Sequence, residues 1–81
     1  MKIIPIKVES YSGHKADEYP KSFYWNDKKF EIVEITDRWY QSDPDADWAV
    51  SNYFKVRTTT DMLCLIKHVI EFEMWYLVKV W

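Results

Sequence analysis

Short runs of β-branched and aromatic residues alternate with polar breaks along the whole chain, and most runs repeat with a period of two. That is the strand period, because successive side chains of an extended chain point to opposite faces. Lys2 to Glu9 is the first run, with Ile4, Ile6 and Val8 on one face. Pro5 cannot donate a ladder hydrogen bond, which predicts an edge strand or one paired there on one side only. Ser10 to Pro20, with Gly13 and His14, reads as a surface loop. Phe23-Tyr24-Trp25 forms a short strand, and Asn26-Asp27 supplies residues that tolerate the positive φ of a tight hairpin. The return strand runs from Lys29 through Thr36. There Phe30 and Ile32 mark one face and Val33 and Ile35 the other, a phase change that fits a β-bulge or a strand buried on both sides, the bulge being the simpler reading.

Ser42 to Asp47 breaks the pattern. Asp43 as N-cap and Pro44 at the first helical position predict one helical turn around Pro44 to Val50. Asn52 to Thr58 is an alternating strand, with Phe54 and Val56 on one side and Tyr53, Lys55 and Arg57 on the other. Thr58 to Asp61 is a turn, and the last strand runs from about Met74 to Trp81. Met62 to Phe72 fits either a helix face or a strand from Met62 to Lys67 followed by a turn. Its Ile, Val and Phe content leans toward strand.

The length allows one domain, 1–81. A chain this short buries only about 60% of its unfolded surface. Its five Trp, six Tyr and four Phe are therefore expected first as core. The formal charge of −2 disfavours a general nucleic-acid binder. Cys64 is the one cysteine, which excludes an internal disulfide and fits a reducing cytosol. No stretch resembles a signal h-region or a spanning helix, so the expected location is cytoplasmic, away from membranes.

Asp43, Asp45 and Asp47 mimic the start of a calcium loop, but Trp48 stands at its sixth position and Phe54 at its twelfth, so a capping role is expected. Cys64 and His68 are four apart without further ligands beside them, which predicts a buried thiol and no metal. Neither metal nor cofactor is expected. His14 near Ser10, Ser12 and Asp17 leaves a weak hydrolase-like activity as an alternative, although no nucleophile elbow marks it.

The remaining constellation is an aromatic-and-basic strip: Tyr53, Lys55 and Arg57 on one strand face, joined by Arg38-Trp39-Tyr40 and by Trp75, Lys79 and Trp81 if their strands are neighbours. Such a strip suits an Arg-anchored protein interface. It also suits a platform for single-stranded nucleic acid, or a solvated sheet face whose long side chains snorkel.

Four motifs occur in order: Pro20, Phe23 and Trp25 (P-x-x-F-x-W), Asp37 and Trp39 (D-x-W), Tyr53, Phe54, Val56 and Thr58 (Y-F-x-V-x-T), and Trp75 and Leu77 (W-x-L). Their order resembles a small bacterial β-domain family of unknown function. It is similar, too, to the C-terminal region of Y-family DNA-polymerase-like mutagenesis accessory proteins. The resemblance covers Tyr19 to about Trp81. It implies an accessory or interaction domain without catalysis, brings no established active-site residues, and implies a hairpin at Met62 to Lys67. The chain departs from the pattern at Val69 to Glu73, where a glycine is usual, and at Asn26-Asp27-Lys28, where Gly and Arg are common.

The expected fold is mainly β: a single antiparallel curled sheet or open barrel of five or six strands with one short helical turn. Ile4, Ile6, Phe23, Trp25, Ile32, Trp39, Phe54, Val56, Leu65 and Leu77 are the expected core. The expected function is a non-catalytic binding module with a protein partner, acting through Tyr53, Lys55, Arg57, Arg38 and Lys79. Single-stranded nucleic acid is the alternative ligand.

Overall fold

The structure, a computed structural model, describes residues 3–11, 19–42 and 50–81. Among these, six strands follow one another as an antiparallel meander: β1 (Ile4–Tyr11), β2 (Tyr19–Trp25), β3 (Lys28–Ser42), β4 (Val50–Thr58), β5 (Leu63–Val69) and β6 (Met74–Val80). The meander closes into a barrel through pairing of β1 with β6. Closure removes the two free edges that an open sheet of this size would present.

Two strands change partners along their length. The start of β1 pairs with β6 at Ile4, Pro5 and Ile6, and its remainder pairs with β2 from Lys7 onward. Pro5 therefore lies where β1 is paired on one side only, as a residue without an N–H must. β3 pairs with β2 from Lys28 to Glu31, then with β4 from Ile32 to Ser42. The register shift at Val33 is the bulge that the phase change in this run predicts, and a second shift, at Thr36, is not foreshadowed by it. They let Ile32 and Ile35 both pack against the core while Glu31 and Glu34 face out.

The turns use few residues. Asn26 and Asp27, at φ 53° and 61°, join β2 to β3 in a two-residue hairpin of the type whose central residues both need positive φ. Between β4 and β5 the buried Thr58 hydroxyl accepts from the Thr60 and Met62 N–H groups, and Asp61 takes the left-handed position. Val69 leads into a 3-10 turn, Ile70–Phe72, and Glu73 at φ 55° returns the chain to β6. Met62 to Phe72 is thus a strand and a turn, not a helix.

The buried core comprises Phe23, Phe54, Val56, Cys64, Ile66, Trp75 and Leu77, with Ile6, Trp25, Phe30 and Ile32 among the half-buried residues packed around it. Four expectations need correction. Ile4 lies at the end of β1 where pairing stops on the β2 side, and it is exposed. Leu65 faces outward, because Cys64 and Ile66 take the inner phase of β5 opposite Val56 and Phe54. Trp39 also faces outward, opposite Tyr53. Ser10, Tyr11, Tyr19 and Pro20, expected in a loop, belong to β1 and β2. The expected helical turn from Pro44 lies outside the described residues, apart from Val50, which begins β4.

Ser22 of β2 helps tie β1, β2 and β3 together: its hydroxyl donates to Glu9 Oε1 at 2.7 Å, and Lys29 Nζ reaches the same oxygen at 3.1 Å. The Ser22 hydrogen bond first, and the Lys29 ammonium after it, hold the Glu9 carboxyl below its ordinary range. Among the described residues no helix is long and apolar enough to cross a membrane.

Candidate functional site

The register sets the outer side chains of β3 to β6 into rows. One row runs Trp39, Tyr53, Lys67, Tyr76 across the four strands, and the next runs Asp37, Lys55, Leu65, Lys79. Side chains opposite one another lie within about 5 Å at Cβ, so each row is a chain of contacts. Trp39 and Tyr53 stack with centroids 5.5 Å apart and planes 3° off parallel. Lys67 Nζ sits 5.7 Å from the Tyr53 centroid. In the second row, Lys55 and Lys79 converge on the ring of Trp81, at 4.8 and 4.9 Å. The Trp81 N–H donates to the Leu63 carbonyl, which anchors the chain beyond β6 against β5.

The expected binding residues divide. Tyr53, Lys55 and Lys79 do share this outer face. Arg57 shares it as well, but its guanidinium is engaged: Nε and Nη2 donate to Glu34 Oε1 at 3.2 and 3.0 Å, and Nη1 to Asp61 Oδ1 at 3.0 Å. Those two carboxylates, Glu34 first, raise its already high pKa further. Arg38 is on the other face. The bulge at Thr36 sets Arg38 opposite Phe54, with its guanidinium carbon 4.8 Å from that ring. Treating Arg38-Trp39-Tyr40 as one block overlooks alternation, which sends Trp39 out and Arg38 in, while Tyr40 near the strand end stays exposed.

Trp75, expected with Lys79 and Trp81, is buried instead. Its ring lies 4.0 Å from His68 with the planes 6° apart, and 5.8 Å from Phe54. Sequence reasoning missed Lys67 and Tyr76 in the outer row. Their signal is in the alternation of β5 and β6, since Ile66 and Leu77 inward place Lys67 and Tyr76 in the outer phase, where Lys67 is nonetheless buried.

The other candidates fare differently. Cys64 is fully buried, and desolvation raises its thiol to about 11. Cys64 and His68 are four residues apart on one strand, about 13 Å, too far for one metal ion. Among the described residues no group of three or more His, Cys, Asp or Glu could hold a metal. His68 Nε2 lies 3.5 Å from Glu73 Oε2, and the buried Asn52 is its cross-strand neighbour. Ser51 pairs with Val69, one position along, so its hydroxyl points to the opposite side of the sheet from His68. His14, Ser12, Asp17, Asp43, Asp45, Asp47 and Trp48 lie outside the described residues, and Phe54 is a fully buried core ring.

Compared with known proteins, the chain matches no family model, no curated protein and no solved structure.

Proposed function

We propose that this chain is a non-catalytic binding module that holds a protein partner on the outer face of β4, β5 and β6. One observation carries the reading. Tyr53, Tyr76 and Trp81, with Leu65 and the stems of Lys55 and Lys79, form a continuous amphipathic surface on strands whose other faces are committed to the core. Rigid rings fixed by neighbouring rows lose little entropy on binding, which is why such residues dominate protein interfaces.

A protein partner is favoured over single-stranded nucleic acid because the ring faces are already occupied. Trp39 and Tyr53 cover one another, and lysines sit over Tyr53 and Trp81. A stacking platform needs open π-faces for successive bases. The two arginines expected to bind phosphates are drawn into internal contacts.

Photo-cross-linking tests this reading. A benzophenone side chain at Leu65, the centre of the face, should form protein adducts in cells. The same group at Tyr24, exposed on β2, should not. Equal adducts at both positions, or adducts to nucleic acid at Leu65, would contradict the proposal.

A further inference from the structure

Lys55 and Lys79 flank Leu65 in one row across β4, β5 and β6. Both ammonium groups lean onto Trp81, so they are held within about 10 Å of each other. Among the described residues neither has a carboxylate within ion-pair distance. They differ in this from Arg57, matched by Glu34 and Asp61, and from Lys29, matched by Glu9. A pair of like charges drawn together over a half-exposed indole costs mutual repulsion, and Asp37, the carboxylate opposite Lys55 in the row, forms no ion pair with either ammonium. On a chain of net charge −2, two ammonium groups converging on one ring make a local concentration of positive charge.

We infer that the Lys55–Trp81–Lys79 cluster is a subsite for an acidic, extended peptide segment of a protein partner, with carboxylates at alternate positions. The inference rests on the protein-binding reading above and adds the chemistry of the partner. Alternate side chains of an extended segment lie on one face about 6.6–7 Å apart, a spacing that places one carboxylate on each ammonium. The residue between them faces away, and the stems of the two acids pack on Leu65 and on the lysine stems. Base stacking is disfavoured at the same place, because the ammonium groups occupy the Trp81 ring.

The test is a titration of the full chain, followed by amide and indole NMR shifts, with a short peptide of alternating Glu and Thr. Its Gln-for-Glu and Lys-for-Glu counterparts and a short oligothymidylate complete the set. The Glu peptide should shift Lys55, Leu65, Lys79 and the Trp81 indole. The Gln peptide should bind at least about tenfold more weakly, and Lys55→Gln with Lys79→Gln should weaken the Glu peptide by a similar factor. Lys79→Gln alone, at the more exposed position, keeps the comparison if the double variant loses its fold. Equal binding of the Gln or Lys peptide on this face would overturn the acidic chemistry and leave the protein-binding face standing. Preference for oligothymidylate would overturn both. Equal binding of the Glu peptide by a folded double variant would remove the subsite.

Discussion

Cys64 marks how completely a side chain's setting decides its chemistry. The thiol lies in the inner phase of β5 opposite Val56, with no exposed surface. Burial there lifts its pKa from 9.0 to about 11, since the thiolate has no water and no cation to stabilise it. Between those two values the folded thiol keeps a proton that the unfolded one has lost. This group therefore lowers folding stability as pH rises through that window, and has no effect below it. At pH near 8 a disulfide reagent should modify the native thiol at least about tenfold more slowly than the unfolded chain, because its thiolate fraction is lower and the sulfur is buried. A native rate equal to the unfolded rate would place Cys64 at the surface. The left-handed positions follow a similar logic. Asn26, Asp27 and Asp61 are residue types that accept positive φ, and with one glycine in the chain they take the place glycine usually holds. Glu73 is the exception, and its carboxylate stands beside the buried His68.

At the scale of elements, β3 explains both what alternation revealed and where it stopped. The Val33–Ile35 phase change announces a bulge, and the hairpin at Asn26-Asp27 is legible in two residues. Alternation alone places Trp39 and Arg38 on the wrong faces, because the second bulge, at Thr36, leaves no mark in apolar spacing. Leu65 was misplaced for another reason: Leu63 to Ile66 is unbroken apolar sequence, and only pairing with Val56 and Phe54 selects the phase. Beyond Glu31, β3 pairs with β4 alone, so Ile32 to Ser42 presents a free edge to the described strands. A cleft of about 400 Å³, lined by Tyr19, Pro20 and Ile32 to Ile35, opens beside it. Two bulges and the exposed charges of Glu34 and Asp37 interrupt this edge, devices that discourage pairing with another chain. Glu34→Val with Asp37→Val should therefore shift sedimentation toward higher mass than the parent at equal concentration. Unchanged sedimentation of a folded variant would show that the bulges suffice without the charges.

For the whole molecule, closure divides the aromatic residues between two tasks. Phe23, Phe54 and Trp75 fill the barrel, whereas Trp39, Tyr53, Tyr76 and Trp81 cover its outside along β3 to β6. Most residues of the four sequence motifs (Phe23, Phe54, Val56, Trp75 and Leu77 among them) belong to the core. The motif pattern thus speaks chiefly to the fold: of its letters Trp39 and Tyr53 lie on the outer face, and other members of that face, such as Lys55 and Tyr76, fall between them. This is why the barrel was largely legible in the sequence and the site only in part. Which cations stay free depends on ion pairs such as Arg57 with Glu34, 23 positions apart in the chain. The inside–outside division is the central claim, and one measurement reaches it directly. Fluorine NMR of the 5-fluorotryptophan protein, with a soluble gadolinium chelate added, reports which indoles meet solvent. Trp81 and Trp39 should broaden, and Trp75, stacked between His68 and Phe54, should keep its linewidth. A sharp Trp81 signal beside a broadened Trp75 would contradict the account.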